Sequence, residues 1–263
     1  MLGCKDVKLV TFLPVSTATT SNNKPTGGSV TSEICVASTI QACNIINKLL
    51  EPHRAKTANL SWPVLCKLAI EEAGLDLRAI GRVCFTAPPD SGESKDSYQT
   101  WGACVFEVEL DLLTGMHNSL RADILMDLGV SMNPLLDVGQ IEGAFLMGVG
   151  LHTLEEVVYN SSDGTLFTKD TWEYKIPGAH NIPIDWRVAL LPNAPNPRGI
   201  LRSRAVGEPP LLMGGAALFA IRAAIQAARG PGRFRFDSPA SVSNIVNTLA
   251  REGVYSQENL VLK

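Results

Sequence analysis

The stretch from Pro209 to Ile221, PPLLMGGAALFAI, carries no charge and no hydrogen-bonding side chain. A helix built from it has no polar face, so it belongs inside a packed domain or inside a bilayer. It falls well short of the roughly 20 residues that span hydrocarbon, and no membrane is expected; the run reads as one central buried helix, closed by Gly230-Pro231-Gly232. The chain around it is large enough to bury such a helix: 263 residues, 45% hydrophobic and 19% charged, supply core for one large or two modest domains.

Lys and Arg number 23 against 26 Asp and Glu, with no basic block anywhere. That balance lacks the electrostatic footprint of a nucleic-acid or anionic-membrane partner, and leaves small, weakly charged ligands as the better class. The N-terminal MLGCKDVKLVTF contains no apolar stretch ending in a small-residue cleavage site, so no signal peptide is expected, and a reducing, cytoplasmic compartment is. Six cysteines (Cys4, Cys35, Cys43, Cys66, Cys84, Cys104) lie at wide spacings without a C-x-x-C, and there are four histidines. Neither a zinc site nor a cysteine-ligated cluster is expected in this chain, and the thiols read as buried, reduced small hydrophobes.

Periodicity and breakers set out the rest. Val7 to Leu13 is a β-branched apolar run that reads as a strand, followed by a Ser/Thr/Asn/Gly-rich loop to Ser32. From Glu33, apolar residues recur at helical spacing to Leu49, with Ser32 as cap and Pro52 as stop. Ser61-Trp62-Pro63 opens a second helix that ends near Gly74, and Gly81 to Thr86 reads as a short strand. Ala87 to Gln99 is the most loop-like segment, and a subdivision of the 1–263 domain is expected near 87–99. Trp101 to Leu112 and Leu120 to Leu128 alternate as a hairpin, with Glu107, Glu109 and Asp111 on the wet face. Asp137 to Tyr159 reads as a helix, Thr165 to Tyr174 and Trp186 to Leu191 as strands, and Ser238-Pro239-Ala240-Ser241 opens a last helix running to about Arg251. Grouped rather than alternating elements give an α+β fold, mixed sheets packed with helices.

Three segments carry chemistry. Thr26-Gly27-Gly28-Ser29-Val30-Thr31 feeds a Gly/Ser/Thr loop into a helix start, where amides and hydroxyls suit a phosphate or another anion; the alternative is an ordinary capped loop. DVGQIEGAFLMGVG begins at Asp137 like a capping box with Gln140 three residues on, then places glycines at 139, 143, 148 and 150. Each costs on the order of 1 kcal/mol against alanine in a helix, an expense that close packing or a ligand explains. In AVGEPPLL the lone carboxylate of Glu208 stands at the start of the apolar run, so it is expected inside the molecule, poised between the helix dipole and desolvation as a general base or a structural cap. None of the four histidines has a ligand-spaced partner.

Taken together, LTGMHNSLRADILMDLGVSMNPLLDVGQIEGAF, TWEYKIP, AVGEPPLL and FDSPAS make the chain resemble, from about Lys8 to Asn247, the C-terminal half of the molybdenum-binding region of the xanthine dehydrogenase and aldehyde oxidase family. The resemblance implies that Glu208 is the general base beside molybdenum, that Gln140 contacts molybdopterin, and that Gly28, Ser29, Val30 and Thr31 hold its pterin and phosphate portion. It implies hydroxylation of an aldehyde or N-heterocycle with water as oxygen source, and a full enzyme that forms a homodimer. It also implies two [2Fe-2S] domains, an FAD domain and the first molybdenum-binding half, with the residues that orient substrate, in polypeptide absent from this chain, either N-terminal to it or in separate subunits. The alternative is a remnant that serves only in binding or assembly. The chain departs from the family pattern at Met147, often glutamine, and from Gly92 to Tyr98.

Overall fold

A computed structural model describes residues 2–4, 6–18, 26–56, 60–83 and 98–255. The chain divides into two compact units, Met1–Ser97 with Arg198–Ile200, and Tyr98–Pro197 with Leu201–Lys263.

The first unit is helical. α1 (Thr31–Lys56) and α2 (Trp62–Ala73) pack around Leu50, Leu65 and Ala69, with Ile46, Trp62, Leu75 and Leu77 against them. Ser61 stands at the start of α2 with Pro63 in its first turn, and Gly74 closes it in the left-handed region at φ +62°. α1 begins at Thr31, ahead of the expected Ser32 cap, and runs through Pro52. Buried Leu50 on one side, and Arg54 over the Trp62 ring at 5.8 Å and bonded to Asn47 on the other, hold the helix across the proline. The strand expected at Val7 to Leu13 does not form. Val7–Leu9 is a 3₁₀ turn capped by Asp6, whose carboxylate accepts from Lys8 N, and the residues after it have no ladder partner among the described residues. Of the strand expected at Gly81 to Thr86, residues 81–83 are irregular and 84–86 lie outside the described residues, as do 87–97 of the loop. A side chain at Gly81 would meet the Ser38 carbonyl at 1.7 Å, so that segment lies directly on α1.

The second unit is a three-stranded mixed sheet covered by helices. β1 (Trp101–Leu110) and β2 (His117–Asp127) are antiparallel, and β3 (Asp185–Leu190) runs parallel to β2 at the other edge. Phe106, Val108 and Leu110 face inward and Glu107 and Glu109 outward, as alternation predicts, with an irregularity at Glu107/Val108. α3 (Pro134–Thr153) and α4 (Gly215–Arg229) lay Ile141, Phe145, Val149 and Ala217 on Phe106, Ala122, Ile124 and Met126. The Phe145 ring stands 5.9 Å from Trp186, edge to face. Further along α4, Ile221 and Ile225 pack with Phe234 and with Ile245 and Leu249 of α5 (Val242–Arg251). Helices on a mixed sheet make this α+β.

α3 starts at Pro134 rather than Asp137, because Asn133 caps it by accepting from Leu136 N, and it ends at Thr153. Asp137 instead accepts from the Ser131 hydroxyl. Between Thr165 and Tyr174 only a Tyr159–Leu166 bridge forms. Asp163 accepts from Thr165 N at 3.0 Å and Asp170 from Trp172 N at 2.8 Å, local turns that outcompete a strand. The expected buried helix is a 3₁₀ turn, Pro209–Gly214, joined to α4, and it is not buried all round: Leu212 is 81% exposed and Phe219 68%. The joined Pro209–Arg229 segment is long and apolar enough, by length and composition alone, to cross a membrane. Gly215, Ala217, Ile221 and Ile225 of that segment are nevertheless laid into the core. The five described cysteines are free thiols and none is fully buried; Cys84 lies outside the described residues.

Candidate functional site

In the first unit, Gly28 and Ser29 are consecutive left-handed residues, φ +67° and +58°, that turn the chain into α1. Ser29 bears a Cβ, so its conformation costs roughly 1–2 kcal/mol. Among the described residues nothing lies within 4 Å of where a Gly28 side chain would stand. Ile34 N is bonded to Val30 O at 3.0 Å, the first backbone bond of the helix. Amides and the hydroxyls of Ser29 and Thr31 make this helix start rich in neutral donor groups of the kind that suit an anion.

Gln140 and Glu208 belong to the second unit. Gln140 is exposed on α3, and Leu136, Gly143 and Met147 share its face. The four glycines of α3 divide by cause. A side chain at Gly148 would meet the Leu211 carbonyl oxygen at 2.0 Å, and one at Gly214 the Gly148 carbonyl carbon at 2.4 Å, so α3 and the 3₁₀ turn touch backbone to backbone. Gly150 lies against Glu155 and Pro177. Among the described residues nothing lies within 4 Å of a side chain built at Gly139 or Gly143, so no packing contact there explains them.

Glu208 is exposed, which corrects the expectation that it lies inside the molecule. Pro209 and Pro210 open a 3₁₀ turn instead of an α-helix, and Glu208 stands ahead of it at the surface, its carbonyl accepting from Leu211 N at 3.1 Å. The chain is fixed on both sides of it. Downstream, Met213 O accepts from the Cys104 thiol at 3.3 Å, and Met213 Sδ would lie 2.7 Å from a side chain at Gly102 of β1. Upstream, Arg204 pairs with Asp127 at 3.1 Å, and Ala205 N donates to the Tyr98 hydroxyl at 2.8 Å. No sequence motif marks these supports: Arg204 is one of two arginines in LRSRAVGE, and Tyr98 and Asp127 are distant from it in the chain.

Among the described residues, no group of three or more His, Cys, Asp or Glu side chains is placed to hold a metal ion. An open apolar cleft of about 600 Å³ lies on the sheet at Ala103, Val105, Leu125 and Ala189, with neither Gln140 nor Glu208 in its lining. Burial pushes the Cys104 thiol up in pKa, so it stays protonated as the donor to Met213 O.

The chain has relatives among known proteins. Residues 1–183 match the molybdopterin cofactor-binding domain family. Xanthine dehydrogenase of Dictyostelium discoideum is 43% identical over 244 residues, 88% of this chain and 18% of that protein. Aldehyde oxidase 1 of Bos taurus is 38% identical over 238 residues, with the same shares. The chain thus spans about a fifth of the length of the curated relatives it matches. Among solved structures, a Cu,Mo-CO dehydrogenase superposes with a TM-score of 0.70 at 19% identity, over 91% of this chain and 32% of that one. The aldehyde oxidoreductase of Desulfovibrio gigas gives 0.66 at 24% identity, over 89% and 24%. These two show a shared fold.

Proposed function

The chain belongs to the molybdopterin cofactor-binding domains of the xanthine dehydrogenase and aldehyde oxidase family, and from that premise we propose that it holds the molybdenum cofactor and presents Glu208 as general base in a molybdenum hydroxylase. The observation that carries the reading is an exposed carboxylate on a loop braced at both ends. The donor set suits the cofactor: the amides and hydroxyls of Gly28 to Thr31 match a phosphate, and the Gln140 amide matches the donors and acceptors of a pterin ring. Gly139 and Gly143 leave the α3 face beside Gln140 free for close approach.

When bound, the molybdenum cofactor supplies two-electron redox chemistry at a Lewis-acidic centre. Glu208 takes up a proton at a carboxylate oxygen as an aldehyde or N-heterocycle is hydroxylated with water as oxygen source. Gln140 would bind the pterin, and the amides and hydroxyls of the loop at Gly28 would donate hydrogen bonds to the phosphate. The remaining polypeptide, whether on the same chain or in separate subunits, supplies the [2Fe-2S] and FAD groups and the residues that choose the substrate, and the full enzyme is a homodimer. Exposed Leu136, Met147, Leu212 and Phe219 give that polypeptide an apolar surface to cover.

The test is Glu208→Gln in the full-length protein. Turnover should fall by roughly 10²–10⁴-fold, the range of a lost general base, with molybdenum and pterin content unchanged. Loss of metal along with turnover would make Glu208 a structural residue.

A further inference from the structure

We propose that Tyr98, Arg204 and Asp127 form a clamp that sets where the Glu208 carboxylate stands; the proposal rests on the reading of Glu208 as general base. Arg204 Nε lies 3.1 Å from Asp127 Oδ1, and the two side chains are only 15% and 9% exposed. The same Asp127 oxygen accepts from Gly129 N at 2.9 Å, so it is held where β2 ends. The Arg204 guanidinium also lies over the Tyr98 ring at 5.8 Å and donates to Gln99 O, while its backbone N donates to Leu128 O at 2.8 Å.

The next residue is held from both sides by side chains. Ala205 N donates to the Tyr98 hydroxyl at 2.8 Å, and Ala205 O accepts from the Thr100 hydroxyl at 3.3 Å. Backbone pairing with β2's end stops at the Gly129–Ser203 bridge and the Arg204 N to Leu128 O bond, and at Ala205 side-chain partners take over, so the last anchor before Glu208 depends on particular residues. Only Val206 and Gly207 separate it from Glu208, and the downstream anchor begins at Leu211, packed on Gly148. The carboxylate therefore sits midway in a short span with both ends fixed. Its placement follows the upstream clamp, and a shift of about 1 Å in a reacting group costs up to about 100-fold in rate. Tyr98, Arg204 and Asp127 are positioning residues.

The experiment uses the full-length enzyme with Tyr98→Phe, which removes one acceptor, and Arg204→Lys, which keeps the charge and loses the planar fork. Each is also combined with Glu208→Gln. The expected result is kcat lowered about tenfold in Tyr98→Phe and further in Arg204→Lys, with KM within about twofold and molybdenum and pterin content and thermal midpoint as in the parent. In the Glu208→Gln background neither substitution should lower residual turnover further. An unchanged kcat, a fall that tracks cofactor content or thermal midpoint, or the same fold-loss without Glu208 would each overturn the clamp while leaving the base reading intact. Full turnover in Glu208→Gln alone would overturn both.

Discussion

Replacing Gly148 by alanine tests whether backbone contact between α3 and the 3₁₀ turn holds the loop that carries Glu208. The added Cβ would lie 2.0 Å from Leu211 O, 2.9 Å from Leu211 C and 3.1 Å from Gly214 Cα, all main-chain atoms with no rotamer to change. Non-bonded heavy atoms rest at roughly 3.5 Å, so helix and turn must part by about 1.5 Å. Overpacking of that kind costs about 3 kcal/mol, and alanine in place of glycine in a helix returns about 1 kcal/mol, leaving a net loss of about 2 kcal/mol. For a chain of this size that lowers the thermal midpoint by about 4–8 °C. Gly143→Ala is the internal control, because its Cβ meets nothing within 4 Å and its only effect in the chain is the gain of about 1 kcal/mol in helix propensity. Melting curves of the chain followed by circular dichroism should move in opposite directions for the two variants. A Gly148→Ala protein as stable as the parent, or a Gly143→Ala protein destabilised to the same degree, would refute the backbone-contact argument. In the full-length protein Gly143→Ala should instead lower pterin content, since the methyl group stands on the face that carries Gln140.

Burial pushes the His117 imidazole below its usual 6.5, so the folded protein keeps it neutral while the unfolded chain accepts a proton near that value. Its contribution to stability is complete above pH 6.5 and is lost as the pH falls below it; urea midpoints across that range should slope downward, and His117→Asn should flatten the slope. The chain on its own should bind an apolar dye and self-associate, because Leu136, Met147, Leu212 and Phe219 are 66, 63, 81 and 68% exposed. A monodisperse monomer that leaves the dye dark would argue that this surface is not a docking face.

What was legible in the sequence was local. Ser61, Pro63 and Gly74 bound α2 because caps act within one turn, and the hairpin followed from alternation that the strands carry themselves. What failed needed a distant partner or a closer rival. Val7 to Leu13 has strand composition, but a strand exists only against another strand, and Asp6 offers the first three residues a turn at once. Thr165 to Tyr174 lost to the turns of Asp163 and Asp170 in the same way. Asn133-Pro134 displaced Asp137 as the start of α3 because the cap with proline at the first helical position is the stronger local signal.

Composition misled about burial, while the order of the motifs pointed to the family. Gln140 and Glu208 lie on segments whose backbones meet at Gly148, and the glycine spacing announced that contact without naming its partner. The inference from an apolar run to a buried helix, and from there to a buried Glu208, treated the chain as if it had to bury its own hydrophobic surface. The chain spans 18% of the length of its curated relatives. Under the proposed reading, the faces of α3 and α4 that carry Met147 and Phe219 are interior in the full-length protein, so periodicity in this sequence records the packing of that larger molecule. On the same reasoning Glu208 acquires a dry environment only when the remaining polypeptide closes over it. Under the proposed reading, what this chain contributes is the geometry of the loop that carries the Glu208 carboxylate.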